Sequence, residues 1–290
     1  MTDAGLAVTG STGRLGGRVA RRLAAAGVAQ RLIVRDPTRA PRLDGAEVVQ
    51  AEYGDADTAR RALDGIAHLF MVSAAESRDR VLQHRTFVDA AAAAGVEHVV
   101  YVSFYGAAPE ATFTLARHHW ATEEHIRATG LQWTFLRDNL YMDFFPAMVG
   151  ADGAIRGPAG DGRVAAVAQD DIADVAVAVL GQPSGHEGTT YDITGPEALS
   201  LAEVAEKISL VSGRAVTYVP ETLDEAYASR ASYHAPRWQV DAWVSTYTAI
   251  AANELRGVSD VVHRVAGHAP ISLDDLLAAR RDALSFGTPL

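Results

Sequence analysis

The chain has 290 residues, 48% hydrophobic and 21% charged, which suits one large or two modest packed domains and excludes a disordered polypeptide. Its formal net charge is −10, so no broad basic face for nucleic acid is expected. Cysteine is absent and Lys207 is the only lysine, which removes disulfides, thiol nucleophiles, thiolate metal sites and any lysine chemistry elsewhere in the chain.

The first residues pass straight into a short apolar run without a basic leader, and no stretch approaches the ~18 apolar residues of a membrane span. A soluble, cytoplasmic protein with no membrane partner is expected. Short β-branched runs predict strands at 6–9, 31–34, 47–50, 68–72, 99–103 and 132–136. Amphipathic stretches separate them. In the first, Leu15, Val19, Leu23 and Ala26 recur at helical spacing, with Arg14, Arg18, Arg21 and Arg22 facing outward. Gly27, Gly65, Gly95 and Gly130 stand where helices end on a left-handed residue. Strict alternation of strand and helix predicts a doubly wound parallel sheet of Rossmann type.

Beyond residue 137 the rhythm changes. Residues 138–163 are rich in glycine, aspartate and aromatics without a clean period. Asp170 and Asp171 then introduce an apolar helix over 172–180. Ser200 and Glu203 form a capping box for a helix reaching Gly213, and another helix is expected over 240–253. The expected organisation is a dinucleotide-binding domain over 1–139, to which about 168–195 returns. The rest of 140–290 is expected to form a smaller α+β domain covering the substrate.

The sharpest motif is Gly10-Ser11-Thr12-Gly13-Arg14-Leu15-Gly16, directly after the first strand and opening the first helix. In that setting Gly10 permits a tight turn, Gly13 lets backbone approach a diphosphate, and Gly16 allows the helix to pack closely on the strand. Free N–H groups at the helix start would receive the phosphates, with Thr12 and Leu15 in the same loop. The end of the second strand sets the cofactor type. Arg35 stands there, with Arg39 and Arg42 beyond and Arg14 also in reach, so NADP(H), with its 2′-phosphate, is favoured over NAD(H). Asp36 is the competing group, able to accept from a ribose hydroxyl. Glu52 after the third strand is a candidate for the adenine amine. Ser73 and Arg137, at the ends of the fourth and sixth strands, complete the candidate cofactor contacts.

No Tyr-x-x-x-Lys pair follows the fifth strand. The corresponding helix reads His118-His119-Trp120-Ala121-Thr122-Glu123, with His119 and Glu123 on one face. His119 is a candidate proton-transfer group, because free histidine titrates near neutrality; the alternative is a solvated or capping histidine. Tyr141 is a second candidate, as donor or substrate contact. His118 and His119 diverge by about 100° on a helix and have no evident third ligand, so no metal is expected. The aromatics Tyr141, Phe144, Phe145, Tyr233, Trp238, Trp243 and Tyr247 either fill a small core or line a flat cleft; Phe144, Phe145, Trp243 and Tyr247 are the substrate candidates.

The glycine loop, Val34-Arg35-Asp36-Pro37, His119-Trp120-Ala121-Thr122-Glu123 and above all the run from Trp133 to Tyr141 resemble the NmrA-like atypical short-chain dehydrogenases. That group includes triphenylmethane reductases and type 2 NAD(P)H:quinone oxidoreductases. Trp243 to Tyr247 and Gly267-His268-Ala269-Pro270 fit as well, whereas Asp138 stands where Asn is usual and Glu52 where Asp is usual. The resemblance implies hydride transfer directly from NADPH, without flavin, to a quinone or other electron-poor aromatic acceptor. Hydride on a quinone leaves a phenolate-like anion, whose conjugate acid has a pKa of about 10 by analogy with tyrosine. A cationic dye yields a neutral product, so neither reaction demands a strong buried acid. The alternatives are a non-catalytic NAD(P)-sensing regulator, or a tailoring reductase or cyclase of aromatic natural products. A small aromatic substrate is the expected partner, and the chain could also assemble into an oligomer.

Overall fold

The computed structural model describes residues 5–281. β1 (Leu6–Thr9) is buried at all four positions, as expected of a central strand covered on both faces. α1 (Arg14–Ala25) turns Leu15, Val19, Ala20 and Leu23 onto the sheet. β2 (Gln30–Val34), β3 (Ala46–Gln50), α2 (Ala56–Ala62), β4 (His68–Met71), α3 (Arg80–Ala93), β5 (His98–Phe104), α4 (Thr114–Thr129) and β6 (Gln132–Asp138) follow. The six strands lie within two residues of their expected bounds.

The chain then makes a 3-10 turn (Met142–Met148) and continues through β7 (Ala154–Gly157), β8 (Arg163–Val164), α5 (Gln169–Gly181), β9 (Thr189–Ile193) and β10 (Leu199–Ser200). It ends with α6 (Leu201–Ser212), β11 (Thr217–Pro220), α7 (Leu223–Ser229), α8 (Arg237–Ala251), a π turn (Val262–Ala266) and α9 (Leu273–Ala279). The main sheet has seven parallel strands in the order β3-β2-β1-β4-β5-β6-β9. It is a Rossmann sheet whose strand order reverses between β1 and β4, where the crevice at the carboxyl ends opens.

Side-chain alternation sorts the sheet into two cores. Val8, Leu32, Phe70, Val102 and Leu136 point to the side of α1 and α5. Ala7, Ile33, Leu69, Tyr101 and Phe135 point to the side of α2, α3 and α4. A third core joins Phe104 and Phe113 to Ile155, Leu201, Ile208, Ile250 and Leu277 of the C-terminal part. There β11 pairs parallel with β7, and β10 pairs antiparallel with β8.

The late return to the sheet is fastened electrostatically. Arg18 Nε lies 3.1 Å from Asp170, and Arg22 lies 2.7 Å from Asp174 and 2.8 Å from Asp170, tying α1 to α5. Asp143, buried in the 3-10 turn, accepts from the Gln169 N–H at 2.9 Å and so supplies the cap of α5 that its own first turn lacks. The capping box at α6 forms as expected, with Ser200 and Glu203 accepting reciprocally.

His98 opens β5 and is buried, its Nε2–H donating to Thr134 Oγ1 at 2.9 Å. Burial, with His68 and His186 nearby, lowers its pKa to about 4. The neutral ring therefore stabilises the fold fully above the unfolded value of about 6.5, and this contribution is lost as pH falls toward 4. Urea unfolding of the wild type and His98→Gln should show the wild type losing about 2–3 kcal/mol relative to the variant between pH 6.5 and 4. A pH-independent difference would refute the assignment.

Candidate active site

The glycine loop fills the reversal point. Gly10 has φ +67° and accepts from the Gly13 N–H at 2.9 Å, which closes the turn. A Cβ on Gly16 would stand 2.4 Å from the Gly10 carbonyl oxygen, so only glycine lets α1 press against the end of β1. Thr12, Gly13 and Arg14 are exposed at the start of α1, while Leu15 is buried beneath it. This helix has no side-chain cap and no acid in its first turn. Its leading N–H groups are thus left to an anion approaching across the loop.

Sequence reasoning missed the brace behind this loop. The Tyr53 hydroxyl lies 2.6 Å from both Thr9 Oγ1 and the Val72 carbonyl, and the Val72 N–H donates to Thr9 Oγ1 at 2.9 Å. Tyr53 stacks on Phe87 at 4.2 Å, and burial raises its phenol pKa. The ends of β1 and β4 are held together just beneath the glycine turn. A tyrosine one residue past Glu52 gives no pattern from which that role could be read.

At the end of β2, Arg35 is exposed, as are Arg39 and Arg42. Asp36 accepts from the Thr38 N–H at 3.0 Å and its hydroxyl at 2.6 Å, capping the short turn that follows. The carboxylate that competed with Arg35 is therefore committed to its own loop. Glu52 is exposed and Ser73 half-buried, at the ends of β3 and β4. Arg14 does not extend toward Arg35; its guanidinium lies over Phe144 at 5.3 Å. Arg137 is likewise turned from the crevice, pairing bidentately with the buried Glu123 at 2.8 and 2.6 Å.

His119 departs most from expectation. It is buried on α4, with Arg80 Nη2 donating to its Nε2 at 3.1 Å. Because arginine only donates, Nε2 is unprotonated and Nδ1–H faces the Tyr101 hydroxyl at 3.0 Å. Burial, reinforced by Arg80, holds its pKa well below that of free histidine. His119 is thus a neutral structural acceptor rather than a near-neutral acid or base. Arg80 Nε donates to the Ala74 carbonyl at 2.9 Å, and the Ala74 N–H donates to His84 Nε2 at 2.8 Å. His84 Nδ1 in turn meets Thr122 at 2.8 Å. The network pins the loop after β4 to α4.

The aromatic candidates divide. Phe144 is half-buried beside Tyr141, with ring centres 5.7 Å apart, at the mouth of the glycine loop. Phe145 is 3% exposed and belongs to the third core, because the 3-10 turn directs successive side chains to different sides. Trp243 packs edge-on to Tyr233 at 5.7 Å, and Tyr247 lies under Arg230 at 4.9 Å. A Cβ on Gly157 would overlap the Tyr247 ring, so this tyrosine fills the C-terminal core. Trp238 is half-buried and lies apart from these rings. With Ser77, Arg78, Leu115, His118 and Asp241 it lines a hollow of about 370 Å³ between the loop after β4, α4 and α8. Among the described residues no group of three or more His, Cys, Asp or Glu could hold a metal. No described helix is long and apolar enough to cross a membrane.

Loop, strand order and crevice define a dinucleotide-binding Rossmann architecture, and the chain belongs to the NmrA-like family, which matches residues 2–230. It is 32% identical over 285 residues to an NAD(P)H azoreductase of Xenophilus azovorans, covering 97% of this chain and 98% of that protein. The NADPH-dependent quinone oxidoreductase QOR2 of Escherichia coli, solved with NADPH, superposes with a TM-score of 0.86 at 30% identity, covering 94% of this chain and 99% of the other. The Citrobacter triphenylmethane reductase, solved with NADP(H), gives 0.84 at 32% identity over 95% and 99%.

Replacing His119 by alanine leaves the Arg80 guanidinium and the Tyr101 hydroxyl short of a partner. Denaturant unfolding should show a loss of about 1–3 kcal/mol. Undiminished stability with collapsed turnover would restore a catalytic role.

Proposed function

We propose that the chain is an NADPH-dependent reductase that passes hydride directly, without flavin, to a quinone or another electron-poor conjugated aromatic acceptor. The observation that carries this reading is the uncapped, acid-free start of α1 facing the reversal point across close-approach glycines. Gly10, Thr12, Gly13 and Gly16 would seat the diphosphate, Arg35 the 2′-phosphate, and Glu52 and Ser73 the adenosine and central portions. With Asp36 committed to its cap, the end of β2 offers the exposed Arg35, whose guanidinium has no ion pair among the described residues, where an NAD-type site would offer a carboxylate. The dinucleotide, when bound, supplies the hydride.

The protein's own residues then position and desolvate the acceptor. The hollow lined by Trp238, Leu115 and His118, with Arg78 and Asp241, falls within the usual range for a small-molecule site and offers one indole ring to a planar acceptor. Phe144 and Tyr141 flank the opposite approach from the glycine loop. Holding a planar acceptor against the crevice converts an encounter into an oriented reaction, which is the main catalytic contribution required when the product anion is weakly basic.

Calorimetric titration with NADPH, NADP, NADH and NAD tests the cofactor assignment. Arg35→Ala should weaken the two phosphorylated nucleotides about 10- to 100-fold and the others far less, the value of a charge-assisted pair. Equal losses for all four would remove Arg35 from the site. NADPH oxidation should proceed with simple quinones and triarylmethane dyes without added flavin. Tight NADPH binding with no acceptor reduced would favour a dinucleotide sensor.

A further inference from the structure

α4 and α8 both begin at the hollow, which Thr114 and Leu115 line from the first helix and Trp238 from the second. Their caps, Phe113 and Pro236, bond no N–H through a side chain, and neither first turn carries an acid. Two long helices thus turn their positive ends toward one space. Ser77 and Arg78 line it from a third direction, just ahead of α3, whose N-cap Asp79 is exposed and makes no side-chain cap bond.

The polar side chains at the hollow are short of partners. Ser77 Oγ and His118 Nδ1 are shielded from water and have no hydrogen-bond partner among the described residues. Arg80 is 4% exposed; its Nε and Nη2 are bonded, but Nη1 is not, and no carboxylate pairs with it among the described residues. Burial and the Arg80 charge lower the His118 pKa, so this ring is neutral and can donate from Nδ1. Arg78 is the one arginine or lysine among the lining residues, exposed and without an ion pair or hydrogen bond among the described residues. The opposing acids are engaged elsewhere. Asp241 accepts from Arg237 Nε and the Tyr227 hydroxyl, each at 2.8 Å, and Glu76 accepts from Gln239 at 3.3 Å.

We propose that the hollow selects a planar acceptor carrying a carboxylate, and that Arg78 is the residue that recognises it. The inference deepens the reductase reading above, on which it rests. The guanidinium fork can take both carboxylate oxygens, and Ser77 and His118 supply two neutral donors that gain the partner they lack. One free cation matches one negative charge, whereas a phosphate dianion would leave charge unmatched. A cationic ring would meet the helix starts and both arginines, and is disfavoured. The carboxylate also fixes which way the ring faces while Trp238 covers it, so one group serves affinity and orientation together.

The test uses three acceptors built on one naphthoquinone ring, bearing a propionate side chain, its methyl ester or a trimethylammonium group at the same distance, so that ring reactivity toward NADPH is common to all. By kcat/KM the wild type should prefer the carboxylate to the ester about 10- to 100-fold, chiefly through KM, and should use the cation worst. Arg78→Gln should abolish most of that ratio, and Arg78→Glu should reverse the order of carboxylate and cation. Arg78 is exposed and unpaired among the described residues, so neither substitution removes a contact of the fold, and added salt should shrink the wild-type ratio. Calorimetry with naphthoate and naphthamide, which accept no hydride, reads the same preference as binding to the protein in the presence of NADP. Equal use of carboxylate and ester by the wild type, or a preference that survives in Arg78→Gln, would overturn the inference and leave the reductase reading intact. Reduction of none of the three overturns the reductase reading. In that case naphthoate binding that depends on Arg78 retains the carboxylate site, and its absence overturns that as well.

Discussion

The molecule is organised around one close approach, the seating of α1 against the end of β1. That contact requires the absence of a side chain at Gly16 and a left-handed turn at Gly10. With both in place, the first N–H groups of the helix emerge unpaired at the point where the sheet reverses its order. Tyr53, Thr9 and Val72 keep the two strands below from spreading. Everything proposed about ligands depends on this arrangement being rigid before a ligand arrives, since a preorganised donor set loses little freedom on binding.

The parts legible in the sequence were those governed by local rules. Buried parallel strands need continuous apolar runs, and Leu6–Thr9 and His68–Met71 are such runs. The glycine loop carries its own geometry. β9 is harder to see because Thr190 and Asp192 form the open face of an edge strand, and its partner β6 lies 55 residues earlier. Its return could be anticipated only as a region, not as a strand.

The candidate site was less legible, and for a definite reason. Amphipathic reasoning assumes that polar residues on a helix face water. α4 breaks that assumption, because its polar positions His119, Thr122 and Glu123 are buried against Arg80, His84, Ser103 and Arg137 from other elements. Those partners lie scattered along the chain, and no spacing rule connects them. The same holds for Tyr247, whose place is defined by a glycine 90 positions earlier. Conversely, Asp138 looks like an ordinary strand-end acid until its burial beside the Tyr141 hydroxyl, with no ion pair among the described residues, is seen.

The backbone leaves the sheet after β6, builds part of the C-terminal core, re-enters as α5 and β9, and departs again for α6 through α9. The two portions are therefore stitched by repeated crossings rather than joined by one tether. A recombination scheme that exchanged the C-terminal portion wholesale would have to splice the chain at three places at once and preserve the α1–α5 ion pairs. Replacing single side chains leaves those crossings intact, whereas exchanging the whole portion breaks all of them.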